Sequence, residues 1–485
     1  MKENSISRRT FLKSSALAGA AGMVGTGSVL TSCDGGGEGN GSVKYTPIRQ
    51  PGSYYIPELP DKATDGKELK AGVIGCGGRG SGAAVNFLNA ANGVTVVALG
   101  DTYKDRIDSC ADTLKNRFNI DIPENKRFTG LDNYKQVIDS DIDVVIIATP
   151  PFFRPAHFQY AVEKGKHVFL EKPLFVDAVG YRSIVATARQ ALTKNLCVIT
   201  GTQRHHQRQY VESFKNIMDG MIGEITGGAV YWNQEQLWFR ERIPQYKNEC
   251  EWMIRDWVNW KWLSGDHIVE QHVHNLDVWT WFTGLKPVSA VGFGSRHRRV
   301  TGDQYDNFSI DFTMENGIHV HSMCRQINGC VGNVSEFIQG TKGSWTSLER
   351  EGHVIRDLAG NEIWRYDVEG EKTKFEQTDP YTLEHVNWIN HIRAGKPIDQ
   401  ASETAVPNMA ALMGRESAYT GVETTWDAMT TSTMDLTPKD LTYDGKIDLS
   451  GYKVPVPGIT NEEAAAQAAA RRAEAAARRA AQQQQ

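Results

Sequence analysis

Three residues in the stretch Ser264 to Gly284, S-G-D-H-I-V-E-Q-H-V-H-N-L-D-V-W-T-W-F-T-G, have the types and spacing to move a proton. On a helix Glu270, His274 and Asp277 fall at i, i+4 and i+7 and share one face, with Val269, Val273, Leu276 and Thr280 as an adjoining apolar stripe. The stretch begins with cap-type residues and stops at glycine, so one continuous helix is expected. Imidazole suits general-base work near neutral pH, and a carboxylate one turn away would orient it and favour its charged form. Lys172, in Glu171-Lys172-Pro173, puts an ammonium on a short turn where it can polarise an alkoxide or carbonyl oxygen. His267, His272 and His274 cluster as zinc ligands can, and His319 and His321 share a strand face. His272, however, lies about two hundred degrees around the helix from Glu270, so no metal site is expected.

These groups need a scaffold, and its strongest signal is Ala71 to Gly80, A-G-V-I-G-C-G-G-R-G, an apolar run entering a glycine-rich turn. A strand, a tight G-x-G-x-x-G turn and a helix place amide donors where a pyrophosphate can sit. Gly75 permits the turn, Gly77 the close approach of ligand, and Gly80 the packing of helix on strand. The next apolar run, Val94 to Leu99, ends at Gly100-Asp101, about twenty residues past the last motif glycine, where a carboxylate can accept from the adenosine ribose. That favours NAD over NADP, whose 2′-phosphate Asp101 would repel. Later apolar runs, Val144 to Ala148, Val168 to Leu170 and Cys197 to Thr200, alternate with amphipathic segments, the pattern of a parallel sheet with crossover helices. Thr149-Pro150 and Glu171-Lys172-Pro173 follow two of these strands, at the carboxyl edge where such sheets bind ligands.

Beyond Gly201 longer alternating strands are expected: Ala229 to Trp232, Ala290 to Phe293, Phe308 to Met314, Ile318 to Met323 and Val334 to Ile338. They imply a mostly antiparallel sheet with one covered face. Gln203 and Arg204, at the junction, border the cleft between the two parts. Trp252, Trp257, Trp260 and Trp262 lie in a loop-like region rich in Arg and Lys, where indole rings can pack on sugar faces. Tyr381 to Arg393 and Pro407 to Gly421 read as helices, with Arg415 in reach of the cleft, and Glu462 to Gln485 as an exposed Ala/Arg/Gln helix without chemistry.

The 485 residues exceed one ordinary domain, and a net charge of -5 with interspersed signs gives no face for nucleic acid. Seven cysteines without C-x-x-C fit neither a disulfide framework nor a zinc cluster. Ser7-Arg8-Arg9-Thr10-Phe11-Leu12-Lys13 resembles a twin-arginine export signal, and Leu30-Thr31-Ser32-Cys33 a lipobox with Cys33 as the lipidated residue. Residues 34–67 then form a tether, beginning D-G-G-G-E-G-N-G-S.

Together, G-C-G-G-R-G, E-K-P, T-P-P-F-F-R-P-A-H from Thr149 to His157 and the histidine-bearing helix resemble the Gfo/Idh/MocA oxidoreductase family over roughly Leu69 to Gly421. The resemblance implies a Rossmann-type doubly wound parallel sheet over 68–201, and an α+β domain with a large, mostly antiparallel open-faced sheet over 202–457, followed by a tail at 458–485. It implies NAD bound through Gly75, Gly77, Gly78, Arg79, Gly80, Asp101, Thr149, Pro150, His157, Glu171 and Lys172. It further implies that Lys172 and His274 handle a hydroxyl proton, with Glu270 where the family often has Asp. A carbohydrate substrate is expected to meet Arg204, Trp262 and Asp277. The family also implies a homo-oligomer assembled through the open sheet face. Its rival readings are an NAD-dependent glycoside hydrolase working by transient oxidation, and a carbohydrate-binding lipoprotein without catalysis.

Overall fold

The computed structural model describes Gly52 and residues 54–483 other than 349, 440 and 442–446. The arginine pair, the lipobox with Cys33 and the first part of the tether lie outside these residues.

The nucleotide-type half alternates strand and helix: β1 (Leu69–Ile74), α1 (Gly78–Ala90), β2 (Val94–Asp101), α2 (Lys104–Phe118), β3 (Arg127–Thr129), α3 (Asn133–Ile138), β4 (Val144–Ile147), α4 (Arg154–Glu163), β5 (His167–Leu170), α5 (Ala178–Thr193) and β6 (Val198–Thr200). All six strands are parallel, in the order β3-β2-β1-β4-β5-β6. Sandwiched between helices, the central strands bury both faces, which is why V-V-I-I of β4 is apolar without alternation. β3, only three residues long, carries too little pattern to be read from sequence.

The second half holds α6 (Arg208–Met218), β7 (Ile225–Gln234), α7 (Glu249–Arg255), α8 (Lys261–Ser264), α9 (His267–Glu270), α10 (Val273–Thr283), β8 (Pro287–Ser295), β9 (Asn307–Met314), β10 (His319–Gln326), β11 (Asn333–Gly340), β12 (Gly343–Thr346), β13 (Val354–Asp357), β14 (Glu362–Arg365), α11 (Val368–Lys374), α12 (Pro380–Ala394), α13 (Gln400–Thr420), β15 (Thr424–Thr425) and α14 (Trp426–Thr431). Its nine strands run β14-β13-β12-β11-β7-β10-β9-β8-β15, antiparallel except where β10 meets β7. Trp279 of α10 and the backbone at Gly414 of α13 press on glycines 228 and 292 of the inner face. The outer face leaves Val291, Phe293, Met323 and Phe337 exposed.

Two late helices return to the first half. From α12, Trp388 donates through its indole to Cys197 O at 3.2 Å, and His385 stacks on Phe169. From α13, Asn408 Oδ1 accepts from Leu174 N and Phe175 N, directly after E-K-P. Arg415, expected near the cleft, is instead buried and donates to Val176 O and Gly265 O. It braces the two halves because two carbonyls, not solvent, satisfy its guanidinium. The tail forms α15 (Asn461–Gln483), exposed over the residues described.

The stretch 264–284 is not one helix. α9 ends at Glu270, and α10 restarts at Val273. At the break His272 N donates five residues back to His267 O and His274 N only three back to Gln271 O, so the ladder changes pitch. The loop-like tryptophan region likewise contains α7, a 3₁₀ turn at Trp257–Asn259 and α8.

Candidate active site

The glycine turn is set by backbone sterics. Gly75 has φ +89°, and a Cβ there would lie 2.7 Å from Ala148 C and Thr149 N. A Cβ on Gly80 would sit 1.7 Å from Gly75 O, so α1 docks on β1 only with glycine at that position. Gly77 and Gly78 meet nothing within 4 Å. α1 starts without a side-chain cap or an acidic residue in its first turn, leaving its N-terminal amides for an anion. Gly75, Gly77, Gly78, Asp101, Thr149, Pro150 and His157 line one cleft of about 250 Å³. An uncapped helix start, room beside two glycines and a carboxylate at the end of β2 fit a dinucleotide.

Each neighbour has an identifiable support. Asp101 accepts from Cys76 N (2.8 Å) and Tyr103 N (3.0 Å), and burial raises its pKa from the usual carboxylate value. His157 Nδ1 lies 3.2 Å from Thr149 Oγ1 while its ring stacks on Tyr134, and burial holds it neutral with a pKa of about 3. Arg79 and Glu171 face each other instead of the cleft: Arg79 Nε donates to Glu171 at 2.5 Å and its guanidinium lies 4.6 Å from the Tyr381 ring centroid. They tie α1 to the E-K-P turn. Arg154, which sequence reasoning passed over, donates to Thr149 O (2.7 Å) and Pro173 O (2.5 Å), joining the two strand-end turns. Its signal was present, an arginine held between prolines in T-P-P-F-F-R-P.

At the E-K-P turn, Lys172 Nζ donates to Glu270 O of the second half at 2.9 Å and lies 3.5 Å from Glu270 Oε1. Glu270 is buried, and its Oε2 has no hydrogen-bond partner among the described residues. His274 stacks on Trp232, with ring centroids 5.5 Å apart and planes at 22°. Burial first, and then the charges of Lys172 and Arg204, press its pKa well below 6.5, so its ring is held neutral. The expectation of a carboxylate-favoured, charged imidazole is therefore corrected: the break turns Glu270 to the lysine. Asp266, the cap of α9, fixes this turn by accepting from His267 N and Tyr305 N and from the Tyr419 hydroxyl.

Asp277 does not share this site. It pairs with His205 Nε2 at 2.8 Å and lines a separate cavity with Trp281 and Thr280; it shares α10 with His274, but its carboxylate is taken by His205 at the junction of the two halves. Arg204 is buried and bonded to Glu336, whose carboxylate also accepts from Asn275, Tyr210 and Ser347. Trp262, 1% exposed, lies edge-on to Phe152 and Phe153, so its ring is a contact between the halves and not an open sugar platform. Trp232 and Glu336, on neighbouring strands of the inner face, were missed; only the alternation of β7 and β11 marked them. Among the described residues no group of three His, Cys, Asp or Glu side chains is placed to hold a metal ion; His319 instead faces Asp311 and His321 faces Ser309.

The pattern described as "Oxidoreductase family, NAD-binding Rossmann fold" matches residues 69–215, and that of the GFO/IDH/MocA C-terminal domain matches residues 215–346, which together is more than half of the chain. A twin-arginine translocation signal matches residues 5–25. A glycosyl hydrolase family 109 protein of Streptomyces coelicolor is 28% identical over 225 residues, 46% of this chain and 44% of that protein. The chain spans about half the length of the curated relatives it matches. In fold it resembles the aldose-aldose oxidoreductase of Caulobacter crescentus complexed with glycerol, at TM-score 0.58 and 16% identity, over 74% of this chain and 99% of that one. It resembles equally the scyllo-inositol dehydrogenase of Lactobacillus casei with bound NAD(H) and scyllo-inositol, at TM-score 0.55 and 19% identity, over 74% and 99%. The chain, with its glycine turn, its E-K-P turn and an export signal ahead of both, belongs to the Gfo/Idh/MocA family of oxidoreductases with an NAD-binding Rossmann domain.

Proposed function

We propose that the protein is an NAD(H)-dependent oxidoreductase acting on a hydroxyl or keto group of a sugar or glycoside outside the inner membrane, with its nucleotide tightly held. The observation that carries this is Lys172, brought on the carboxyl edge of the nucleotide sheet against Glu270 and the neutral His274 of the other half. His274, kept uncharged, accepts the hydroxyl proton; Lys172 steadies the oxygen as negative charge grows on it; Glu270 holds the ammonium in place. Bound NAD supplies the hydride acceptor. Export points to Cys33 as a lipid anchor, and the exposed apolar residues of the outer sheet face suit assembly of like subunits.

A second reading, glycoside cleavage through transient oxidation on the same site, is favoured by the family 109 relatives. It is redox-neutral and so needs no supply of free nucleotide after export. Mass spectrometry of products from a glycoside panel, with protein carrying its own nucleotide, separates the two. A keto-glycoside with NADH, or reduction of an added acceptor, supports the first; free sugar without net NADH supports the second; no product from any glycoside leaves a binding protein and removes both.

A further inference from the structure

The motif residues furnish one wall of the nucleotide cleft, and the opposite wall comes from a segment that no motif marks. Between β7 and α9 the chain leaves the second sheet and crosses to the first half. Trp238, Arg240, Ile254, Arg255 and Trp257 then line the same cleft as Asp101, Thr102 and Arg106. The crossing is tied within itself. Asp256 accepts from Arg240 N (2.7 Å) and from Asn259 (2.8 Å), and the Trp252 indole donates to Arg240 O (2.6 Å). It is also tied to the nucleotide half by a small core of its own, in which Tyr103 packs with Cys250, Met253 and Ile254, while Phe152 and Phe153 lie against Trp262.

A charged tie between described residues is Arg255. Its two terminal nitrogens reach the two carboxylate oxygens of Asp105, at the start of α2, at 3.0 and 3.1 Å. Its guanidinium lies 4.0 Å from the Tyr103 ring centroid, and Nε donates to Glu251 at 2.8 Å. A two-pronged, stacked arginine holds both distance and orientation, as a lysine there would not. Indole rings opposite the end of β2 suit a purine, and the arginines lining the same cleft suit phosphate oxygens.

We propose that this crossing segment is the second wall of the nucleotide site and that the Arg255–Asp105 pair latches it, so that bound nucleotide leaves only when the latch opens. The proposal rests on the NAD-binding assignment and adds the residues that retain the cofactor. It also gives the exported chain a physical means of keeping what it carries.

The test uses the full chain loaded with NADH, following loss of bound-NADH fluorescence on addition of excess NAD. Arg255→Ala should speed release about tenfold or more, and Asp105→Ala similarly. The double variant should release no faster than the faster single variant, since both open one latch. Arg255→Lys should fall between wild type and Arg255→Ala. Trp257→Ala, which leaves the latch in place, should weaken equilibrium binding of ADP-ribose and keeps the idea exposed if the Arg255 variants do not fold. Release as slow as wild type in folded Arg255→Ala, or unchanged ADP-ribose affinity in Trp257→Ala, would overturn the wall while leaving the nucleotide assignment standing. A wild-type chain that takes up no NADH would overturn both.

Discussion

In the nucleotide half the deciding groups are backbone: a glycine with φ +89°, a glycine that lets α1 touch β1, and uncapped amides at the start of α1. In the second half they are side chains held by further buried side chains: His274 against Trp232, Arg204 on Glu336, Glu270 under Lys172. The first kind of site fails through geometry and the second through charge and packing. The two should therefore answer differently to substitution.

The largest effect is expected where backbone meets backbone. Gly80→Ala would place Cβ 1.7 Å from Gly75 O, which no side-chain motion relieves, so we expect loss of at least ~3 kcal/mol of stability and of nucleotide binding together. Gly77→Ala has open space and should fold as wild type, yet lose nucleotide because the methyl occupies the ligand's room. Thermal unfolding beside NADH titration checks the pair; normal NADH binding by Gly77→Ala would take that glycine out of the site.

Next come Lys172→Ala and His274→Ala. Each should retain nucleotide and lose turnover by about a hundredfold or more, the usual weight of a positioned acid or base. Near-normal turnover in either would remove that residue from the proposed chemistry. The contrast with Gly77→Ala is the point, since one class empties the site and the other leaves it filled and idle.

Acid should act on the side-chain half more broadly. Burial pushes His206, His272 and His353 to about 3, and His274 and His385 well below 6.5. Each has a folded pKa beneath its unfolded value, so below about pH 6.5 the unfolded chain takes up protons that the fold refuses. Stability from these groups is complete above that pH and declines as pH falls toward 3, by up to ~1.4 kcal/mol per pH unit for each. His205 has the opposite sign: although burial works against it, Asp277 raises its pKa, so its contribution is present in acid and lost at higher pH. With His157 and His167 of the nucleotide half also lowered by burial, seven imidazoles against one predict a melting temperature that drops between pH 7 and 5; a flat profile would mean that the buried imidazoles are charged in the fold.

How much of this was legible follows from the same contrast. Gly75, Gly77 and Gly80 could be read because the constraint and its cause lie within a few residues of chain, and so could the strand-helix alternation that places Lys172 beyond the carboxyl end of a parallel strand. The pairing of Lys172 with Glu270 depended on where α9 starts and ends, and its start is capped by Asp266, which reaches Tyr305 and Tyr419 far along the chain. A helical wheel through Glu270, His274 and Asp277 assumes unbroken pitch between the first two, and it cannot show that Asp277, on the same helix as His274, is taken by His205. Arg204 was read as bordering the cleft and Trp262 as a sugar-facing ring, but their partners, Glu336 and the Phe152-Phe153 pair, belong to other strands and turns and leave no local trace.

Asp101 tests the comparison from the opposite direction, as a side chain within the backbone-built half. Its oxygens already accept from Cys76 N and Tyr103 N, which shape the turn on either side, and it lines the cleft beside Thr102 and Arg106. A carboxylate has about four acceptor positions, so two remain for ribose hydroxyls. Asp101→Asn keeps one acceptor oxygen and turns an NH₂ group toward the other backbone donor, which should cost about 1–2 kcal/mol and weaken NAD roughly tenfold. Losing the negative charge should at the same time ease entry of a 2′-phosphate next to Arg106, so the preference for NAD over NADP narrows by more than NAD binding alone accounts for. Dissociation constants for both nucleotides, measured on wild type and Asp101→Asn, decide it. If both weaken equally, Asp101 only holds the turn, and discrimination belongs to the arginines of the opposite wall; if NADP gains while NAD loses, the carboxylate itself reads the ribose.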